Sequence, residues 1–170
     1  VHTLLEMSDL SSVPRSDRIE LAPLVDEIIT DLTPLACQND ITIEQYCDNV
    51  MITGCDALIY RLVFNLIENA VKYNRKGGSV SVSVHKENGN AVVTVSDTGC
   101  GIPEEYRESI FQPFFRVDKS RSRQMGGVGL GLALVHEIAV LHGGSVRAEP
   151  GNKAGTVFIV TLPTENDIGK

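Results

Sequence analysis

The stretch Leu58–Tyr73, LIYRLVFNLIENAVKY, restricts the fold of this chain more than any other. Turned through about 100° per residue, it places Leu62, Val63, Leu66, Ile67 and Ala70 on one side, a stripe that needs a core to cover it. Asn65, Asn69 and Lys72 stand at i, i+4 and i+7 on the other side, with Glu68 beside them. Asparagine is a weak residue inside helices because its amide competes for backbone hydrogen bonds. A solvated face that happens to carry amides accounts for one such residue. Two of them aligned with a lysine also suit a polar wall facing a ligand, since amide oxygens bind hard divalent cations and lysine neutralises phosphate. This helix alone leaves both readings open.

With 170 residues, 42% hydrophobic and 22% charged, the chain is sized and composed for one soluble domain with a sizeable core. A net charge of −7 argues against nucleic acid as partner, because phosphate neutralisation needs a basic face. No apolar run approaches a membrane span, and no signal peptide opens the sequence. Cys37, Cys47, Cys55 and Cys100 show no CxxC spacing and read as reduced thiols of a cytosolic protein, several of them buried. A start at Val1, inside helical spacing, is expected of a piece of a longer protein.

In chain order, residues 1–10 read as the tail of a preceding helix and SSVPRSD as a linker. Arg18–Leu21 is expected as a short strand and Leu24–Cys37 as a helix, which Pro34 bends or ends. Strands are expected at Ile41–Tyr46 and Val50–Thr53. The asparagine helix follows Gly54, with Asp56 as its cap, and stops in Asn74-Arg75-Lys76-Gly77-Gly78. Ser79–Lys86 and Ala91–Asp97 alternate valines with polar residues around Asn88-Gly89, a hairpin. Beyond it a short helix is expected at Glu104–Ile110, a loop at Phe111–Gly127 and a helix at Gly129–Leu141. Strands at Ser145–Ala148 and Ala154–Leu162 and a polar tail complete the chain. The pattern predicts an α+β fold, a two-layer α/β sandwich with helices on one face of a mixed, mainly antiparallel sheet.

Three loops carry chemistry-bearing residues. Asp97 ends a strand just before Gly99 and Gly101; its carboxylate can accept a purine amino group, and the glycines let a base approach, although strand-end Asp-Thr-Gly turns are common. FQPFFRVDKSRSRQMGG clusters Phe111, Phe114 and Phe115, three of five phenylalanines, ahead of Arg116, Lys119, Arg121 and Arg123. A charged surface loop is the plain reading; aromatics anchoring a cationic tip also suit a lid over an anion. Gly126-Gly127-Val128-Gly129-Leu130-Gly131 opens a helix, where backbone N–H groups and the helix dipole favour phosphate. It is neither a P-loop nor a Rossmann fingerprint. His136-Glu137 fails as a zinc motif because Val140 stands where HExxH needs its second histidine.

Taken in order, NLIENAVKY, DTGCGI, FQPFFRVDKSRSR and GGVGLGL resemble the N, G1, F and G2 boxes of the ATP-binding domain of bacterial sensor histidine kinases. The likeness runs from about Arg18 to Pro163, making residues 18–163 the catalytic domain, 1–17 the end of a dimerisation helix with its linker, and 164–170 a flexible tail. The same Bergerat-type ATP fold serves type II topoisomerases, Hsp90-like chaperones and MutL-like repair proteins, which lack this F box and lid. The resemblance implies that Asn69 holds Mg²⁺, with Asn65 and Glu68 assisting, that Lys72 approaches the phosphates, and that Tyr73 meets the base or sugar. It implies that Asp97 reads the adenine amino group in a pocket shaped by Gly99, Gly101, Ile102 and Thr156, with Phe114 at its border. Arg116, Gly127, Gly129, Leu130, Gly131 and Leu132 would meet the phosphates.

The reaction so implied is transfer of the γ-phosphoryl group of ATP to a histidine. The implied partners are upstream phosphoacceptor helices of the same protein and, indirectly, a response regulator. The parent is then a homodimer anchored in a membrane, and this portion is cytoplasmic and monomeric by itself. The family's phosphoacceptor box is absent: Thr3-Leu4-Leu5 follows His2, and His136-Glu137 lies in the wrong helix without its proline. Val128 also stands at a commonly small polar position. Two other readings share the fold, a degenerate regulatory module without catalysis and a stand-alone Ser/Thr kinase of the anti-sigma-factor type.

Overall fold

The computed structural model describes residues 10–115, 131–152 and 154–164. A 3-10 turn at Leu10–Ser12 leads into β1 (Asp17–Glu20), α1 (Leu21–Gln38), β2 (Thr42–Cys47), β3 (Met51–Gly54) and α2 (Asp56–Lys72). There follow β4 (Ser79–Glu87), β5 (Asn90–Asp97), α3 (Gly131–Leu141), β6 (Ser145–Pro150) and β7 (Thr156–Pro163). β1 and β3 pair antiparallel as a separate ribbon, while the main sheet has the order β2-β4-β5-β7-β6. Only β2 and β4 run parallel; the other neighbours in that sheet are antiparallel.

Valine alternation explains the sheet. Val80, Val82 and Val84 of β4 are buried together with Val93 and Val95 of β5 and Val160 of β7, while the intervening serines stay partly exposed. Asn88 and Gly89 both have positive φ, 52° and 79°, the two-residue turn whose twist matches paired strands. The three helices cover the buried face in sheet order. α1 lies over β2, α2 over β4 and β5, and α3 over β6 and β7, with α2 packed against both neighbours. All five residues of the predicted apolar stripe are buried, together with Leu58, Ile59 and Val71.

This layout orients the two central helices oppositely. α2 ends just before β4 begins, and α3 ends just before β6 begins. The start of β4 pairs with the end of β5, Val80 opposite Asp97, whereas β6 begins opposite Thr161 near the end of β7. The C-terminus of α2 and the N-terminus of α3 therefore lie at one end of the sheet, with Asp97 and Thr156.

Four expectations need correction. Pro34 neither ends nor divides α1, which continues to Gln38. Pro34 and Thr30, whose carbonyl loses its amide partner, are exposed, so water can replace the missing bond. Asp56 does not cap α2; the cap position is Cys55 and its side chain makes no capping bond. Glu104–Ile110 is not a helix but two 3-10 turns, Glu104–Tyr106 and Ser109–Phe111. Seven residues cannot offset the cost of nucleating an α-helix without a deeply buried stripe, and of these residues only Ile110 is buried. Of the four free cysteines only Cys55 is buried.

Candidate functional site

Asp97, the last residue of β5, sits where strand pairing stops and its carboxylate substitutes for the missing ladder. Its Oδ1 accepts from the backbone N–H of Gly99 at 2.9 Å and of Thr156 at 3.2 Å. Among the described residues nothing donates to Oδ2, which leaves it available for a donor from outside the chain. Burial pushes the carboxyl above its usual range, and the two N–H bonds pull it back.

Glycines surround this carboxylate because nothing larger fits. A Cβ on Gly99 would collide with the carbonyl oxygen of Tyr73, and one on Gly155 with the carbonyl oxygen of Asp97. Gly155 also has φ +90°, a conformation that side chains resist. Thr156 is 5% exposed, and Ile102 packs against the edge of the core.

A second group of bonds ties the end of α2 to this loop. Asn74 donates through Nδ2 to the carbonyl of Ser79 at 2.9 Å, and its Oδ1 accepts from the Thr98 hydroxyl at 3.0 Å. The same hydroxyl accepts from the Ser79 N–H at 2.9 Å. Three segments, the end of α2, the start of β4 and the loop after β5, are thus held as one unit. Neither Asn74 nor Thr98 was legible as a site residue, since Asn74 reads as part of a helix stop and Thr98 as one letter of a turn.

On α2 and at its C-cap, Asn65, Glu68, Asn69, Lys72 and Tyr73 are all partly exposed. Lys72 Nζ lies 3.3 Å from Glu68 Oε1, one turn back on the helix. The amides of Asn65 and Asn69 have no hydrogen-bond partner among the described residues. Gly131 opens α3, and a Cβ there would meet nothing within 4 Å, so no internal crowding requires a glycine at that position. Leu132 packs at the core edge, whereas Phe114 is 57% exposed with φ +66°. Arg116, Gly127, Gly129 and Leu130 lie outside the described residues.

The donor set suits a purine nucleotide with Mg²⁺. A carboxylate with one committed and one open oxygen suits an exocyclic amino group. A solvent-facing amide pair with a lysine suits metal-bridged phosphates. Among the described residues no three His, Cys, Asp or Glu side chains group to hold a metal.

A family model described as histidine kinase-, DNA gyrase B-, and HSP90-like ATPase matches residues 54–166. The chain belongs to that family. Within it the similar proteins are sensor kinases. The sensor histidine kinase RppB of Synechocystis sp. is 37% identical over 145 residues, 82% of this chain and 32% of the relative. The sensor-like histidine kinase SenX3 of Mycolicibacterium smegmatis is 35% identical over 170 residues, 96% of this chain and 44% of the relative. The chain therefore spans under half the length of both relatives. The catalytic domain of histidine kinase ThkA superposes with a TM-score of 0.79 at 26% identity, covering 89% of this chain and 97% of that one. This histidine kinase-type ATPase domain thus has the two-layer fold expected from its sequence. No helix among its described residues is long and apolar enough to cross a membrane.

Proposed function

We propose that this chain binds Mg-ATP and donates the γ-phosphoryl group to a histidine on a separate dimerisation and phosphoacceptor domain, in two-component signalling. The observation that carries this reading is the half-committed carboxylate of Asp97, at the same end of the sheet as Asn69, Lys72 and the start of α3. Its free oxygen accepts the adenine amino group. Gly99, Gly101, Ile102 and Thr156 form the walls of the base pocket, Phe114 stands at its rim, and Tyr73 meets the base or sugar. Asn69 supplies an oxygen to Mg²⁺, with Asn65 and Glu68 beside it, and Lys72 leaves Glu68 for a phosphate oxygen. Gly127, Gly129, Gly131 and the backbone at Leu130 and Leu132 offer N–H groups to the phosphates, and Arg116 meets the same phosphates.

Mg²⁺ neutralises phosphate charge and orients the group for in-line transfer. The acceptor imidazole nitrogen forms a bond to the γ-phosphorus as the bond to the β-phosphate oxygen breaks, and ADP leaves. The chain's own contribution is positioning and charge neutralisation. Residues 1–17 serve as the end of the dimerisation helix and its linker, residues 18–163 as the catalytic domain and residues 164–170 as a tail. The parent is a membrane-anchored homodimer with this part in the cytoplasm, and a response regulator takes the phosphoryl group onward.

The test is a calorimetric titration with ATP, with and without Mg²⁺, for the wild type, Asn69→Ala and Asp97→Asn, followed by labelled transfer to a phosphoacceptor domain supplied in trans. Expected are saturable binding by the wild type that weakens by roughly tenfold to a hundredfold in Asp97→Asn, metal dependence lost in Asn69→Ala, and label appearing on the acceptor histidine. Binding without transfer would move the assignment to a regulatory module. Label on serine or threonine of a partner would move it to the anti-sigma type.

A further inference from the structure

His142 follows α3 directly, at the opposite end of the sheet from Asp97, and its two ring nitrogens are both committed. Nδ1 lies 2.8 Å from the carbonyl oxygen of Ile138, and Nε2 accepts from the backbone N–H of Cys55 at 3.0 Å. A carbonyl can only accept and an N–H can only donate, so this geometry requires the neutral ring with its proton on Nδ1. Cys55 is the cap position of α2, where no side chain of the helix itself provides a cap. The imidazole does so from another helix, satisfying one of the amides that a helix start leaves unpaired. The fit is close: a Cβ on Gly54 would strike the ring.

We propose that His142 is a positioning residue for the nucleotide site, a neutral strut fixing the C-terminal end of α3 to the N-terminal end of α2. These two helices run in opposite senses, and each carries part of the site at its far end. Eleven residues separate Gly131 from His142, a reach of ~16 Å at 1.5 Å per residue, which brings Gly131 level with Leu66, between Asn65 and Asn69. Sliding or tilting α3 against α2 therefore changes the spacing between the amides of α2 and the start of α3. Protonation of the ring places an N–H against the Cys55 N–H and breaks the strut.

The charged groups bordering the strut come from the linker, from β1 and from α2. Burial disfavours the charged ring most strongly, the bond to Ile138 favours it, and Arg15 of the linker disfavours it. Asp17 accepts from the Asp56 N–H at 3.1 Å beside the strut, β3 carries no charged residue, and on α3 the nearest one in sequence is Glu137.

This inference rests on the ATP reading, and one experiment separates their failures. ATP affinity is measured by calorimetry between about pH 5 and pH 8 for the wild type, His142→Gln and His142→Phe, with the His142 titration followed by NMR. Gln keeps an acceptor for the Cys55 N–H and cannot be protonated; Phe fills the space without an acceptor. The wild type is expected to lose affinity about tenfold as pH falls through the midpoint of His142 itself, equivalent to ~1.4 kcal/mol. His142→Gln keeps near wild-type affinity without that step, and any slope it retains comes from groups common to both proteins' titrations, the terminal phosphate of the nucleotide among them. His142→Phe binds weakly throughout if folded. Superimposable profiles for the wild type and His142→Gln overturn the inference and leave the ATP reading standing. Wild type that binds no ATP at any pH removes both.

Discussion

On the proposed reading, the two oxygens of Asp97 have separable tasks, one structural and one facing the ligand. In Asp97→Asn the Oδ1 atom still accepts from Gly99 and Thr156, so the loop keeps its shape. The Nδ2 atom, however, sets a donor against the adenine amino group. ATP affinity is expected to fall by roughly tenfold to a hundredfold, the worth of a hydrogen bond to a charged group at about 1.5–3 kcal/mol, measured by calorimetry. Stability moves the other way. Burial raises the carboxyl above 3.8, so the folded chain holds this proton to higher pH than the unfolded one. That contribution is full below 3.8 and is lost as pH rises through the raised value, so ionised Asp97 weakens the fold at neutral pH. The urea midpoint of Asp97→Asn at pH 7 should therefore be no lower than that of the wild type. A variant that loses both ATP and stability would refute this division of tasks.

At the scale of elements, α2 is fixed at both ends by side chains from elsewhere. At its C-terminus the Thr98 hydroxyl bridges Asn74 and the Ser79 N–H. Thr98→Val keeps the shape and removes both bonds, with an expected cost of about 1–3 kcal/mol in urea unfolding, because the half-buried Ser79 N–H loses its partner, while Asn74 Oδ1 keeps the Arg75 N–H at 2.9 Å. At its N-terminus the strut through His142 gives a pH signature. Burial holds the His142 pKa below 6.5, so unfolding takes up a proton that the folded ring refuses. The sign is fixed: this contribution is full above 6.5 and is lost as pH falls through the lowered folded value. Urea midpoints of the wild type should fall across that acid window, and those of His142→Gln should fall less. Local elements with strong periodicity were legible in the sequence. The stripe of α2 and the valine alternation of β4 and β5 sit where expected, because each needs only its own residues to declare a face. The run 104–110 was not, since helical spacing over one turn and a half cannot tell an α-helix from successive 3-10 turns.

At the scale of the molecule, what stayed hidden is what depends on distant partners. Cys55 and His142 meet across 87 positions, and Thr156 reaches Asp97 across 59. No window of sequence contains both members of such a pair. The β1–β3 ribbon was hidden for the same reason, as α1 and β2 lie between its strands. The order of motifs supplied what local pattern could not, pointing to Asp97, Asn69 and Lys72 together. Because those residues come from separate elements, on the proposed reading a bound nucleotide bridges β5 and α2, and its binding free energy appears as stability of the whole domain. At Mg-ATP about a hundredfold above Kd the linkage adds ~2.7 kcal/mol. For a chain of this size each kcal/mol raises Tm by roughly 2–4 °C, so a rise of about 5–11 °C is expected. Thermal unfolding should show that rise with Mg-ATP in the wild type and lose most of it in Asp97→Asn, while Asn69→Ala should respond alike with and without Mg²⁺. An equal rise in all three would place the nucleotide elsewhere on the molecule.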